Sequence, residues 1–150
     1  KHYVAAWPIA IERFFNLVVF NYIYGNGDAH LKNFSLQRIN DELLLAPAYD
    51  LLNTCLHIDG DDLALSGGLL RSGWRSEVFE RTGHPCREDF EAFGEQIGVR
   101  PPRIRAILDS YTSVPKEAIQ LIEHSFLDNK NKRSYVRIAE ERISRFKRQS

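Results

Sequence analysis

The chain has 150 residues, 43% of them hydrophobic and 27% charged. That is enough for one globular domain with its own core, and it excludes a disordered chain or two full domains. Twenty basic residues balance twenty acidic ones, so no overall charge marks a nucleic-acid binder, and two cysteines without a CxxC exclude a disulfide scaffold and a cysteine zinc site.

The charge is unevenly placed. Residues 1–39 carry four bases against two acids, residues 40–95 four against twelve, and residues 96–150 twelve against six. The basic C-terminal third reads as a solvated helix face, with an acidic partner as the sharper alternative. No signal-peptide pattern opens the sequence, and the apolar stretch Pro8–Tyr24 is interrupted by Glu12, Arg13, Asn16 and Asn21. A cytoplasmic protein with no membrane span is therefore expected. The chain contains no methionine, which suggests that it is part of something longer.

Pro8 suits the start of a helix, and Ile9–Tyr24 is predicted helical with Gly25 closing it. Its apolar residues surround most of the circumference, so it should be a central post buried by its neighbours. A polar loop, Asn26–Asn33, follows. Phe34–Ile39 and Leu43–Ala46 read as two strands joined at Asn40-Asp41, ended by Pro47. Asp59–Asp62 is a predicted turn, Leu63–Leu65 a short strand and Ser66-Gly67-Gly68 a break. Helices are predicted over Arg75–Arg81, Arg87–Ile97 (closed by Gly98), from Pro101 or Pro102 through Tyr111, from Ser113 through Leu127, and over Ser134–Phe146. Trp7, Trp74, Phe90 and Phe93 are core candidates. The expected class is α+β, mainly helical, as a single domain over 1–150 with one small hairpin.

The residues able to do chemistry lie between Asp28 and Asp50. The hairpin carries the chain out and back, so Asp28, Asn33 and Asp50 should converge near one end of the first helix. Two carboxylates and a carboxamide suit phosphoryl transfer, which needs a group to orient and deprotonate a hydroxyl and oxygen donors for Mg²⁺. Mg²⁺ takes few protein ligands, so an Asn–Asp pair suffices, and Lys32 adds positive charge near a phosphate. Taken singly, each of these could be an ordinary loop or packing residue: Asp28 and Asn33 binding backbone amides, His30 a structural hydrogen bonder, Lys32 solvated, Tyr49 in the core. His57, Cys55 and His84-Pro85-Cys86 match no common zinc spacing. The basic residues Arg133, Arg137, Arg142, Arg145, Lys147 and Arg148 come with no base-reading motif, so nucleic-acid binding is not expected.

Gly25-Asn26-Gly27-Asp28-Ala29-His30-Leu31-Lys32-Asn33-Phe34-Ser35-Leu36, followed by Leu45-Ala46-Pro47-Ala48-Tyr49-Asp50-Leu51-Leu52, resembles the C-terminal lobe of the HipA-like toxin serine/threonine kinases. The shared pattern is D-A-H-x-K-N, a hairpin, then L-x-P-x-Y-D. The resemblance implies a kinase-like lobe whose hairpin carries the metal site, with Asp28 as the catalytic aspartate. Asn33 and Asp50 would ligate Mg²⁺, and His30, Lys32 and Tyr49 would lie beside ATP together with that pair. It further implies a protein substrate, among them aminoacyl-tRNA synthetases, and a HipB-like DNA-binding antitoxin as partner. The family also has an N-terminal lobe that grips the nucleotide. This chain begins one helix before the catalytic loop, so that lobe is expected to lie outside it, and the chain alone should bind ATP weakly. Two other readings stay open: a small-molecule kinase, since D-x-H-x-x-N also resembles the aminoglycoside-phosphotransferase loop, and a non-catalytic interaction module.

Overall fold

The computed structural model describes residues 4, 6–58, 62–64 and 67–147. Helix α1 (Trp7–Ile23) has Pro8 in its first turn and buries Ile11, Phe15, Val19, Tyr22 and Ile23, a stripe at helical spacing. A 3₁₀ turn (Leu31–Asn33) leads into β1 (Leu36–Ile39) and β2 (Glu42–Leu45). The strands pair antiparallel from Leu36 opposite Leu45 to Ile39 opposite Glu42. Asn40 and Asp41, both at positive φ, make the two-residue turn that matches strand twist. A second 3₁₀ turn (Thr54–Leu56) precedes α2 (Glu77–Thr82), α3 (Arg87–Ile97), α4 (Pro101–Ser110), α5 (Lys116–Glu123) and α6 (Asn129–Ser144).

Helices α3, α4 and α6 pack on α1 around one core that includes Phe15, Tyr22, Phe90, Ile104, Leu108 and Ile143. Full burial of side chains this large contributes about 2–3 kcal/mol each. The rings of Tyr22, Phe90 and Phe146 stack and cross at 4.9–5.8 Å between centroids. Gly94 allows α3 its close approach, since a Cβ there would sit 2.7 Å from Ile104 Cδ1 and 3.1 Å from Phe15 Cε2. The result is a mainly helical α+β arrangement with one small hairpin. No helix among the described residues is long and apolar enough to cross a membrane.

Several expectations need correction. Helix α1 is central but not enclosed: Ile9 is 57% exposed, and a groove of about 690 Å³ runs between α1 and the hairpin, lined by Arg13, Leu17, Phe20, Leu45 and Pro47 among others. Leu36, Ile39, Leu51 and Leu52 are exposed on and beside the same hairpin. Leu63 and Ala64 form a bend rather than a strand; most of the turn expected at 59–62, with Leu65 and Ser66, lies outside the described residues. Helix α5 stops at His124 instead of reaching Leu127, leaving Phe126 fully exposed. Helix α6 starts five residues early because Asp128 caps it, its carboxylate accepting the Asn131 N–H at 2.8 Å. Trp74 is 44% exposed and outside the core. Within the basic third, Arg142 is 5% exposed, so this part of the charge is internal rather than a solvated face; Arg148 lies outside the described residues.

Candidate functional site

Gly25 ends α1 at φ +77°, and its would-be Cβ lies 2.5 Å from Asn53 Oδ1. The loop toward Asp28 therefore passes directly against the segment that follows Asp50. Asn26 fastens the two. Its Nδ2 donates to Asn21 Oδ1 and to the Asp50 carbonyl, both at 2.8 Å, while its Oδ1 accepts from Asp28 N at 3.3 Å. Thr54 adds a second tie: its hydroxyl accepts from Gly27 N at 2.9 Å, and the neighbouring Cys55 N–H donates to Gly25 O at 3.1 Å. Asn21 and Asn26 are both buried, which is costly for an amide unless its bonds are made. These bonds set the relation of the two loops.

Asn33 sits at the end of its 3₁₀ turn with its side chain inward, 9% exposed. Its Nδ2 donates to Asp50 Oδ2 at 2.5 Å, so the residues on either side of the hairpin meet. The metal pair expected from the sequence thus lies at the two roots of the hairpin, not on its strands. Asn33 Oδ1 is buried with no hydrogen-bond partner among the described residues, and Asp50 holds the left-handed conformation at φ 55°. A buried oxygen without a donor is uncommon in a folded chain and suits an ion as partner, and the left-handed backbone, which Asp adopts more readily than most residues, turns the chain at Asp50. A carbonyl oxygen and a carboxylate are the hard donors that Mg²⁺ takes, and the cation completes its shell with water and phosphate. The residues fit such an ion. Among the described residues no group of three or more His, Cys, Asp or Glu could hold a metal.

Asp28 points outward, its side chain 70% exposed, with Oδ1 3.6 Å from His30 Nε2. The other ring nitrogen, His30 Nδ1, is buried without a partner among the described residues. Tyr49 is 42% exposed and not in the core; its hydroxyl donates to the Lys32 carbonyl at 2.9 Å. The Lys32 side chain is exposed. The structure therefore joins Asn33 to Asp50 directly, Asp28 to them through Asn26, and Lys32 to Tyr49 through backbone.

Asn21, Asn26, Asn53 and Thr54 were not singled out by sequence reasoning. The usable signal is Asn21, an amide within the apolar run from Leu17 to Ile23 at the end of α1, where burial demands a partner. Cys55 accepts a hydrogen bond from Arg142, Cys86 lies 3.4 Å from Ser76 Oγ, and His84 contacts Asp62.

Residues 2–118 match the family described as "HipA-like C-terminal domain". Two curated proteins of Sinorhizobium fredii are also similar. The one named "Putative kinase Y4mE" is 30% identical over 118 residues, covering 77% of this chain and 26% of that protein. "Putative kinase Y4dM" is 46% identical over 55 residues, covering 36% of this chain and 13% of that protein. The chain thus spans about a quarter or less of the curated relatives it matches. With the family match running from ahead of α1 into α5, the chain belongs to the HipA-like C-terminal domain family.

Proposed function

We propose that this chain is the catalytic lobe of an ATP- and Mg²⁺-dependent serine/threonine protein kinase of the HipA type. The observation that carries the reading is the Asn33–Asp50 contact at 2.5 Å beside a buried Asn33 Oδ1 that has no partner among the described residues. Asn33 and Asp50 hold the cation, and Mg²⁺ there supplies charge neutralisation for the β- and γ-phosphates. Asp28, exposed and tied to the same frame through Asn26, orients the substrate hydroxyl and takes its proton as the oxygen bonds to the γ-phosphorus and ADP leaves. His30, Lys32 and Tyr49 line the phosphate side.

The exposed apolar residues around the hairpin and the groove beside α1 support a second lobe that covers this face and completes the nucleotide crevice. The substrate is a protein, an aminoacyl-tRNA synthetase by family resemblance, and the partner a HipB-like DNA-binding antitoxin, in the cytoplasm. The family match favours this reading over a small-molecule kinase.

The test is transfer of labelled γ-phosphate by the full-length gene product. Loss of at least about a hundredfold in Asp28→Asn supports a catalytic carboxylate, since removing a general base typically costs 10²–10⁴. Equal transfer in Asp28→Asn would overturn the role of Asp28 as the base, and no transfer by the parent protein, with equal growth arrest in both, would make the lobe a binding module.

A further inference from the structure

One arginine from the last helix reaches the junction of both site loops. Arg142 of α6 is 5% exposed, and its guanidinium lies 5.0 Å over the Tyr22 ring. Nη1 donates to the Tyr22 carbonyl, near the end of α1 and also bonded by the Gly25 N–H at 3.2 Å. Nη2 donates to Cys55 Sγ at 3.3 Å and to Asp62 Oδ1 at 2.7 Å. Cys55 in turn binds Gly25 O through its own N–H, beside the Thr54 hydroxyl that holds Gly27. The guanidinium therefore fixes where α1 hands over to the Asp28 loop, and it fixes the 3₁₀ turn that follows Asp50.

Arg145, one turn further on, secures the same device. Its Nη1 donates to Asp62 Oδ2 at 2.6 Å and to the Tyr22 hydroxyl at 2.9 Å, and that hydroxyl donates to the Pro85 carbonyl at 2.8 Å. Arg87, by contrast, serves Glu91, Asp109 and the Phe146 carbonyl, none of which lies in the two site loops. We infer that Arg142 is a positioning residue that holds the Asp28 and Asp50 loops in register, through Tyr22 O and Cys55, from a helix beyond residue 118, where the family match ends. The inference rests on the kinase reading for its purpose, though not for its geometry. A lysine cannot replace it, because an ammonium lacks the planar fork that serves three acceptors in three directions.

The experiment compares amide hydrogen exchange and Mn²⁺ affinity in the whole chain for Arg142→Lys, Asp62→Asn and the control Arg87→Lys. The expected result is faster exchange, by about tenfold or more, at Gly25, Gly27 and Cys55 in the first two variants, with α3 and α4 amides unchanged. Mn²⁺ binding, read by water-proton relaxation, weakens about fivefold or more in Arg142→Lys and not in Arg87→Lys, as expected for a lost supporting contact. Unchanged loop protection in Arg142→Lys overturns the inference. So does acceleration spread evenly over all helices in both variants, which would make Arg142 a support of the whole core. Absence of Mn²⁺ binding in the unaltered chain counts against the metal reading alone, and the exchange pattern still decides the role of Arg142.

Discussion

Replacing Gly25 by alanine isolates the contact that brings the two loops together. At φ +77° an L-residue carries strain of about 1–2 kcal/mol. The new Cβ would meet Asn53 at 2.5 Å from Oδ1, 2.8 Å from Cγ and 3.0 Å from Nδ2, all inside van der Waals contact. Asn53 is 8% exposed and has little room to turn away, so overpacking adds about 1–3 kcal/mol. The total of about 2–5 kcal/mol corresponds to a drop in Tm of roughly 5–15 °C for a chain of this size. A double-mutant cycle by thermal denaturation separates the two parts. Both polar atoms of the Asn53 side chain are buried without partners among the described residues, so Asn53→Ala alone should cost little. Combined with Gly25→Ala it should recover the overpacking share and leave the φ strain of about 1–2 kcal/mol. A Gly25→Ala Tm within 1 °C or so of the parent chain, or a cycle with no coupling, would refute the close approach, since contacts of this kind couple by about 0.5–3 kcal/mol.

Asp28→Asn should leave stability unchanged to within about 0.5 kcal/mol, because the side chain is exposed and among the described residues pairs with His30 alone, while phosphate transfer in the full-length protein is lost. Asp89, 3% exposed, accepts from Ser76 N, Ser76 Oγ and Cys86 N at 2.8–2.9 Å, so Asp89→Ala should cost about 3 kcal/mol in a denaturant melt. Burial pushes the Asp62 carboxyl up, but Arg142, Arg145 and the His84 contact outweigh it and hold it below the usual range. The folded chain is thus the stronger acid: the stabilisation is complete above an unfolded value of about 4 and disappears as pH falls through the lower folded value. Stability measured from pH 6 to 2 should fall less steeply in Asp62→Asn than in the parent chain.

Helical periodicity, caps and turn residues made most elements legible: α3 matched at both ends, and Asn40-Asp41 made the predicted turn. The two motifs flanking the hairpin placed Asn33 beside Asp50, because a hairpin must return its chain near its origin. What stayed hidden depends on distant contact. Whether α1 is covered all round depends on what packs against it, which residue order along the helix does not encode. Arg142 looked like one more exposed base because its acceptors, Tyr22 O, Cys55 and Asp62, lie 80 or more residues away in sequence. The shortened α5 shows the same limit: an apolar Phe126 at helical spacing does not prolong a helix that has no neighbour there to bury it.

The central claim is that Asn33 and Asp50 together hold the cation. Electron paramagnetic resonance of free Mn²⁺, titrated into the parent chain, Asn33→Ala and Asp50→Ala, tests it most directly. The account predicts saturable uptake of a cation by the parent chain and its loss in both variants, with Asp28→Asn retaining it. Uptake of equal strength in the parent chain and both variants, or none in the parent at millimolar Mn²⁺, would contradict it.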